Sequence, residues 1–97
     1  MFYKKHRTSS GDSIVGICDS NLIGQTLQED EICITIHEDF FKDMKATEEE
    51  ILLILQEENN ITLVGNQCVS LAIKNGLLNE SSCMRIHGEL YAQLLRL

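Results

Sequence analysis

The sequence has no proline, so glycine and asparagine must supply the unusual backbone conformations of its turns. It also has no apolar run near the roughly 18–20 residues that a membrane-spanning helix requires. The longest run extends only from Ile51 to Leu55. The opening residues, Met1 to Arg7, lack the apolar segment of a secretory signal. We therefore expect a cytoplasmic protein that makes no contact with membranes.

Closely spaced metal ligands are also missing. The cysteines form no CxxC pair and stand at Cys18, Cys33, Cys68 and Cys83. A zinc site usually takes two ligands from one tight turn, and neither the cysteines nor the scattered histidines have that spacing. A Cys83–His87 nucleophile pair fails on geometry, because residues four apart on a strand are separated by about 13 Å. The sequence thus predicts free thiols that act as small hydrophobes, with no metal, cofactor or catalytic residue. It favours a protein that is not an enzyme.

Basic residues are scarce, since eight Lys and Arg stand against fifteen Asp and Glu, for a net charge of −7. This balance disfavours a simple nucleic-acid-binding role, because neutralising phosphates requires a concentrated basic surface. Three basic residues nevertheless cluster at Lys4, Lys5 and Arg7. If sheet pairing brought Arg85 or Arg96 alongside, the resulting patch would suit RNA phosphates or an acidic protein surface. The alternative is a solvated edge strand whose lysines prevent aggregation.

Apolar periodicity predicts a single α+β domain over residues 1–97. Alternation of apolar and polar residues is typical of half-buried strands. It predicts strands at residues 2–7, 13–19, 31–36, 83–87 and 90–97. Thr47 followed by Glu50 is a capping-box pattern that predicts a helix, and the following apolar run predicts that this helix is heavily buried. A second helix is expected from near residues 64–66 to the C-cap signal Asn75-Gly76. The order is β-β-β-α-α-β-β, which predicts a mainly antiparallel sheet packed against two helices.

Polar and glycine residues interrupt the apolar C-terminal third and provide a candidate ligand site. Gly65 and Asn66 stand at the expected start of the second helix, where free N–H groups and the helix dipole favour an anion. His87 and Gln93 would add polar groups if the last hairpin packed beside that start. The other interpretation is an ordinary helix entry in which the glycine avoids a clash.

A series of landmarks runs along nearly the whole chain. They are residues 3–7, Cys18-Asp19, Leu22-Ile23-Gly24, Phe40-Phe41, the acidic capped helix, Leu63-Val64-Gly65, Val69 to Leu77, Gly88 and Ala92-Gln93. In order and spacing the chain resembles a small archaeal family, domain of unknown function 424. The resemblance implies an archaeal cytoplasmic protein without an assigned activity, with a loose association with translation. Two positions depart from the family pattern, because Tyr91 stands where relatives have histidine and Thr62 where asparagine is common.

Three hypotheses about function follow. The first is a non-enzymatic interaction module of archaeal information processing that binds a protein partner or a ribonucleoprotein. The second is a small-ligand, anion-binding or enzymatic site around the start of the second helix and the C-terminal hairpin. The third is a homodimer, in place of a monomer, in which an exposed strand edge pairs with its copy.

Overall fold

A six-stranded sheet organises the protein, of which the computed structural model describes residues 1–96. The strands are β1 (Phe2–Arg7), β2 (Ser13–Cys18), β3 (Thr26–Glu29), β4 (Ile32–Thr35), β5 (Met44–Lys45), β6 (Asn60–Val64), β7 (Met84–Ile86) and β8 (Glu89–Leu95). The helices are α1 (Glu38–Phe41), α2 (Glu48–Glu57) and α3 (Asn66–Lys74), with short 3-10 helices at Ser20–Leu22 and Glu80–Ser82. No helix within residues 1–96 is both long and apolar enough to cross a membrane.

The strand order in the large sheet is β5-β1-β2-β6-β8-β7, and β3 with β4 forms a separate hairpin. Every pair of neighbouring strands is antiparallel except β2 and β6, which run parallel. The parallel pair lies at the middle of the sheet and joins an N-terminal hairpin, β1–β2, to a C-terminal hairpin, β7–β8. Strand β2 has apolar or small residues on both faces from Ile14 to Cys18, and β6 ends in the fully buried Leu63 and Val64, as expected where both faces of a parallel pair are covered.

The two faces of the sheet have different covers, because successive side chains on a strand point to opposite sides. One face packs against α2 and α3, with Ile17, Leu63 and Ala92 in its core. We call it the helix face. The other face packs against the β3–β4 hairpin and α1, with Cys18 and Val64 in its core, and we call it the hairpin face.

Phe40 fixes α1 to the hairpin face. Its ring stacks on His6, with ring centroids 4.8 Å apart, and the His6 Nε2 group donates to the Phe40 carbonyl oxygen at 3.0 Å. Gly16 lies directly beneath, so close that a Cβ there would stand 2.6 Å from the same carbonyl oxygen. The glycine therefore permits α1 to approach β2.

Helix α2 begins as the sequence predicts but is less buried. Thr47 and Glu50 form the capping box, with each side chain bonded to the other residue's backbone N–H. Ile51 and Leu55 are fully buried, whereas Leu53 is 56% exposed. The prediction of a heavily buried helix is wrong on its outer side, because α2 packs against the sheet on one side and nothing covers the other within residues 1–96.

The predicted fold class is confirmed, since the structure is a small α+β domain with a mainly antiparallel sheet against two helices. The Asn75-Gly76 stop of α3 is also present, with the Gly76 and Leu77 amides returning to the Ile73 and Ala72 carbonyls. The structure adds strands that the periodicity did not show. The most important is β6, whose short apolar run between two helices has the same pattern as a helix end. The last predicted strand ended at Leu97, which lies outside the described residues.

Candidate functional site

The start of α3 is organised by the carboxylate of Asp19, which follows β2. Asp19 is only 6% exposed. Its two oxygens accept the backbone N–H groups of Gln67 at 2.8 Å and Cys68 at 2.9 Å. Asp19 therefore caps a helix from 48 residues away in the chain. Asp19 takes the role that an N-cap side chain usually has, since the residue at the N-cap position, Gly65, has no side chain.

Gly65 makes this contact possible in two ways. Its backbone has φ 124° and ψ 145°, a region that residues with a Cβ rarely adopt. A Cβ at this position would also overlap the Asp19 carboxylate. The glycine thus provides both the turn from β6 into α3 and the space that the capping carboxylate occupies.

Asn66 connects α3 to the C-terminal hairpin. Its Nδ2 group donates to the Gly88 carbonyl at 2.9 Å, and its Oδ1 accepts the Leu90 N–H at 3.0 Å. Its own backbone N–H donates to the Glu89 carboxylate at 3.2 Å. The Asn66 side chain therefore uses both of its polar ends to hold the turn between β7 and β8 against the helix.

The other two residues of the predicted ligand site lie elsewhere. His87 has φ 49° and Gly88 has φ 81°, the pair of positive values that a tight two-residue hairpin turn requires. The exposed His87 donates its backbone N–H to Glu29 on the β3–β4 hairpin at 3.0 Å. Gln93 is exposed on β8, opposite Thr62, and its side chain is on the hairpin face of the sheet.

The structure therefore brings together only part of the predicted ligand site. Asn66 meets the backbone of the His87-Gly88 turn, while Gln93 stands several residues further along β8. The first helical amides, which an incoming anion would use, already bind the carboxylates of Asp19 and Glu89. What is present at this helix start is an internal joint that links β2, α3 and the last hairpin.

Two thiols stand beside this joint. Cys18 and Cys68 are fully buried. Burial and the neighbouring Asp19 charge raise the pKa of the Cys18 thiol to about 12 and raise the pKa of Cys68 well above its usual value. Because the thiolate is the reactive form, neither cysteine is suited to nucleophilic chemistry near neutral pH.

These thiols should make the fold sensitive to alkaline pH. The folded pKa values lie above the unfolded ones, so the stabilisation is complete below about pH 9 and is lost as pH rises toward 12. We expect the free energy of unfolding to fall by about 1.4 kcal/mol per pH unit for Cys18 in that range, and the raised pKa of Cys68 acts in the same direction. Urea titrations at pH 8, 9.5 and 10.5 measure this slope.

The matched variants for the alkaline effect are Cys18→Ala and Cys33→Ser. The first removes a buried thiol and should flatten the slope. The second removes an exposed thiol and should leave the slope unchanged. Equal slopes in all three proteins would show that other groups cause the alkaline loss.

The predicted basic residues are divided between the two ends of the sheet order. Lys4, Lys5 and Arg7 are on β1, whereas Arg85 is on β7 at the opposite edge. Arg85 bonds the Gly88 carbonyl of its own turn at 3.3 Å. Arg96, which directly follows β8, lines the same groove as Lys5.

That groove lies at the end of the sheet and has a volume of about 680 Å³. Its walls are the β1–β2 loop with the start of β2, residues 57–60 from the end of α2 to the start of β6, and the end of β8. We call it the end groove. Glu58 stands within it and holds both cations, since its carboxylate lies 3.2 Å from Lys5 Nζ and its carbonyl accepts from Arg96 at 2.7 Å.

The sequence had not marked Asp19 as a site residue, although it is the polar side chain on which the helix start depends. A signal for it existed. Gly65 at a helix start has no side chain to cap the amides, so a buried helix start would take its cap from elsewhere in the chain. A carboxylate that directly follows a buried strand, as Asp19 follows β2, was a suitable candidate. Within the part of the chain that the structure describes, no three His, Cys, Asp or Glu side chains are grouped to hold a metal.

Comparison with known families assigns the chain to one of them. A family model described as "Protein of unknown function (DUF424)" matches residues 6–97. The chain belongs to this family. The DUF424 chain also has the fold of a solved structure titled an uncharacterized conserved protein from Methanopyrus kandleri, with a TM-score of 0.74. The two are 19% identical over 99% of this chain and 93% of the other. A comparison with curated proteins found no match.

Proposed function

We propose that this DUF424 protein is a non-enzymatic interaction module that binds a segment of a partner protein in the end groove. The observation that carries the proposal is the groove itself. At about 680 Å³ it is as large as many small-molecule sites, and it is lined by charged, amide, hydroxyl and apolar side chains. The thiols of Cys18 and Cys68, which are not nucleophilic near neutral pH, lie outside it.

The charges of the groove favour a protein over RNA. Three acidic side chains line it, Asp12, Glu57 and Glu58, against two basic ones, Lys5 and Arg96. The Lys5 ammonium already pairs with the Glu58 carboxylate, while Arg96 bonds only the Glu58 backbone carbonyl. Binding of phosphates depends on an excess of positive charge, and this surface does not have one.

The uncharged lining suits a polypeptide. Ile14 and Leu95 supply apolar surface, and Leu95 is 62% exposed. Ser13, Asn59 and Asn60 line the same groove and carry hydroxyl and amide groups of the kind that bind backbone amides and carbonyls. A segment with apolar side chains and free backbone groups would satisfy both kinds of surface.

Site-specific photo-crosslinking tests the proposal. A benzoylphenylalanine placed at the exposed position Asn59 should form adducts with a discrete protein in native cell extract. The same label at Gln28, exposed on β3 away from the groove, is the matched control. Adducts that are specific to position 59 and resist ribonuclease support a protein partner.

Two outcomes contradict the proposal. Adducts of equal yield at both positions would show non-specific capture. Adducts at position 59 that ribonuclease removes would show that RNA is the partner. A charge exchange adds a check, because Lys5→Glu should weaken specific capture and Lys5→Glu with Glu58→Lys should restore the local ion pair and the capture.

The cellular setting is part of the same proposal. Four free cysteines fit a reducing compartment, which supports a cytoplasmic location. The family resemblance suggests a role in archaeal information processing, including translation. Identifying the crosslinked partner tests this role.

A further inference from the structure

The outer edge of β8 exposes backbone hydrogen-bonding groups. The Gly65 amide bonds the Leu90 carbonyl, and the Arg96 amide bonds the Asn59 carbonyl. The N–H and C=O groups of successive residues point to alternate sides of an antiparallel strand. The backbone groups that point toward β6 are therefore those of Leu90, Ala92, Leu94 and Arg96. The intervening residues of β8 are directed away from β6, toward β7.

Strand β7 is too short to cover this edge. It pairs only with residues Glu89 to Tyr91 of β8, and the pairing ends where Met84 of β7 lies opposite Tyr91. The N–H and C=O groups of Gln93 and Leu95 also point away from β6, but they lie beyond the end of β7 at Met84. No hydrogen bond joins these four groups to another residue in the described chain. We call this stretch, Gln93 to Leu95, the open edge.

We propose that the open edge pairs with an extended segment of a partner protein, which adds a short strand in line with β7. This inference rests on the proposed function, because the open edge meets the end groove at Leu95 and Arg96. An N–H and a C=O on every second residue are complementary to an extended polypeptide, and strand addition is a common mode of peptide recognition.

The surrounding side chains define the chemistry of the segment. Met84 is 46% exposed and Leu95 is 62% exposed, and both are on the hairpin face beside the open edge. Apolar side chains on alternate residues of the incoming segment would bury both. On the helix face, Arg85 and Arg96 stand on either side of the open edge, so acidic residues at the two ends of the segment would complement them.

A second copy of this chain is a poorer occupant. In a two-fold arrangement each β8 would pair with the other, but each already carries β7 on the first half of the same edge. The β7 of one copy would collide with the end of the other copy's β8. Each β8 could therefore pair only through Gln93 and Leu95. A second copy would be held by these two residues alone, whereas a partner segment can continue past them into the end groove at Leu95 and Arg96.

A natural edge strand usually carries a lysine, a proline or another charge that blocks pairing. Residues 90–95 contain none of these. The basic strand β1, at the other side of the sheet, does carry lysines. The lack of such blocking residues in β8 indicates that its open edge can accept a further strand.

Amide exchange with a model peptide tests the proposal. The probe is a blocked heptapeptide, Glu-Val-Thr-Leu-Thr-Val-Glu, added to the full-length protein. On binding, the amides of Gln93 and Leu95 should exchange at least ~10-fold more slowly. The Ala92 and Leu94 amides, which already bond β6, should be unchanged.

Backbone substitutions supply the matched controls. Gln93→Pro removes the outward N–H but no bond to β6, so it should weaken binding of the heptapeptide about tenfold or more, whereas Gln93→Ala should not. If Gln93→Pro disturbs the fold, N-methylated probes on the wild-type protein replace it. Methylation on one set of alternate residues should abolish binding, and methylation on the other set should not.

Three results would overturn the inference. They are unchanged exchange of Gln93 and Leu95 at saturating peptide, equal binding of both methylated probes, and protection that rises with protein concentration in the absence of peptide. The last would assign the edge to a second copy. If position 59 still crosslinks a protein equally well in Gln93→Pro and Gln93→Ala, the proposed function stands and only the strand pairing is wrong.

Discussion

Replacing Gly65 with alanine should lower the free energy of unfolding by about 3–5 kcal/mol, close to the whole stability of many small domains. Two costs combine. The backbone at φ 124° and ψ 145° is strained for any residue with a Cβ. The new Cβ would also overlap the buried carboxylate of Asp19. Urea unfolding followed by far-ultraviolet circular dichroism measures the loss.

The matched control for this substitution is Gly11→Ala. Gly11 also has a positive φ, 89°, but no atom lies within 4 Å of the position where its Cβ would be. We expect a loss of about 1–2 kcal/mol there, from backbone strain alone. If both alanine variants lost the same stability, the contact with Asp19 would contribute nothing and the dihedral alone would explain Gly65.

Replacing Asp19 with alanine should cost about 3–4 kcal/mol, because two N–H groups of α3 would be left without partners beneath a buried strand end. Gln67 and Cys68 donate these bonds at 2.8 and 2.9 Å. Asp19→Asn keeps one acceptor oxygen and should cost roughly half as much. The measurement is again urea unfolding, with amide exchange of Gln67 and Cys68 as the local readout.

Two comparisons make this result decisive. Thr47→Ala removes the exposed cap of α2 and should cost only about 1 kcal/mol. A loss of that size for Asp19→Ala would show that water reaches the α3 amides after all. In the double variant with Gly65→Ala, removing the carboxylate also removes the clash, so the combined loss should be smaller than the sum of the two single losses.

The features that the sequence predicted correctly are those set by near neighbours. The capping box joins Thr47 to Glu50 within one helical turn, so the four residues 47–50 suffice to recognise it. The stop of α3 at Asn75-Gly76 and the C-terminal hairpin of β7 and β8 likewise depend on residues close together in the chain.

The features that it missed depend on distant partners. Strand β6 has a short apolar run that a buried helix end would also show, and only its place between β2 and β8 identifies it. The polar residue Asn66 could be recognised as unusual, but its use depends on where the last hairpin packs. The end groove was not foreseeable, since it requires Lys5, Glu58 and Arg96 to meet from three separate strands and connections.

The central position of β6 has a consequence for how the chain reaches its fold. The hairpin β1–β2 and the hairpin β7–β8 share no hydrogen-bonded strand pair, and each is joined to the sheet through β6. Pairing β6 with β2 closes a loop of more than forty residues, which is a slow step in folding because loop closure loses chain entropy before contacts compensate for it. We therefore expect the N-terminal half to gain a stable sheet only after residues 60–95 have also emerged during synthesis, so that the domain folds as a single late event.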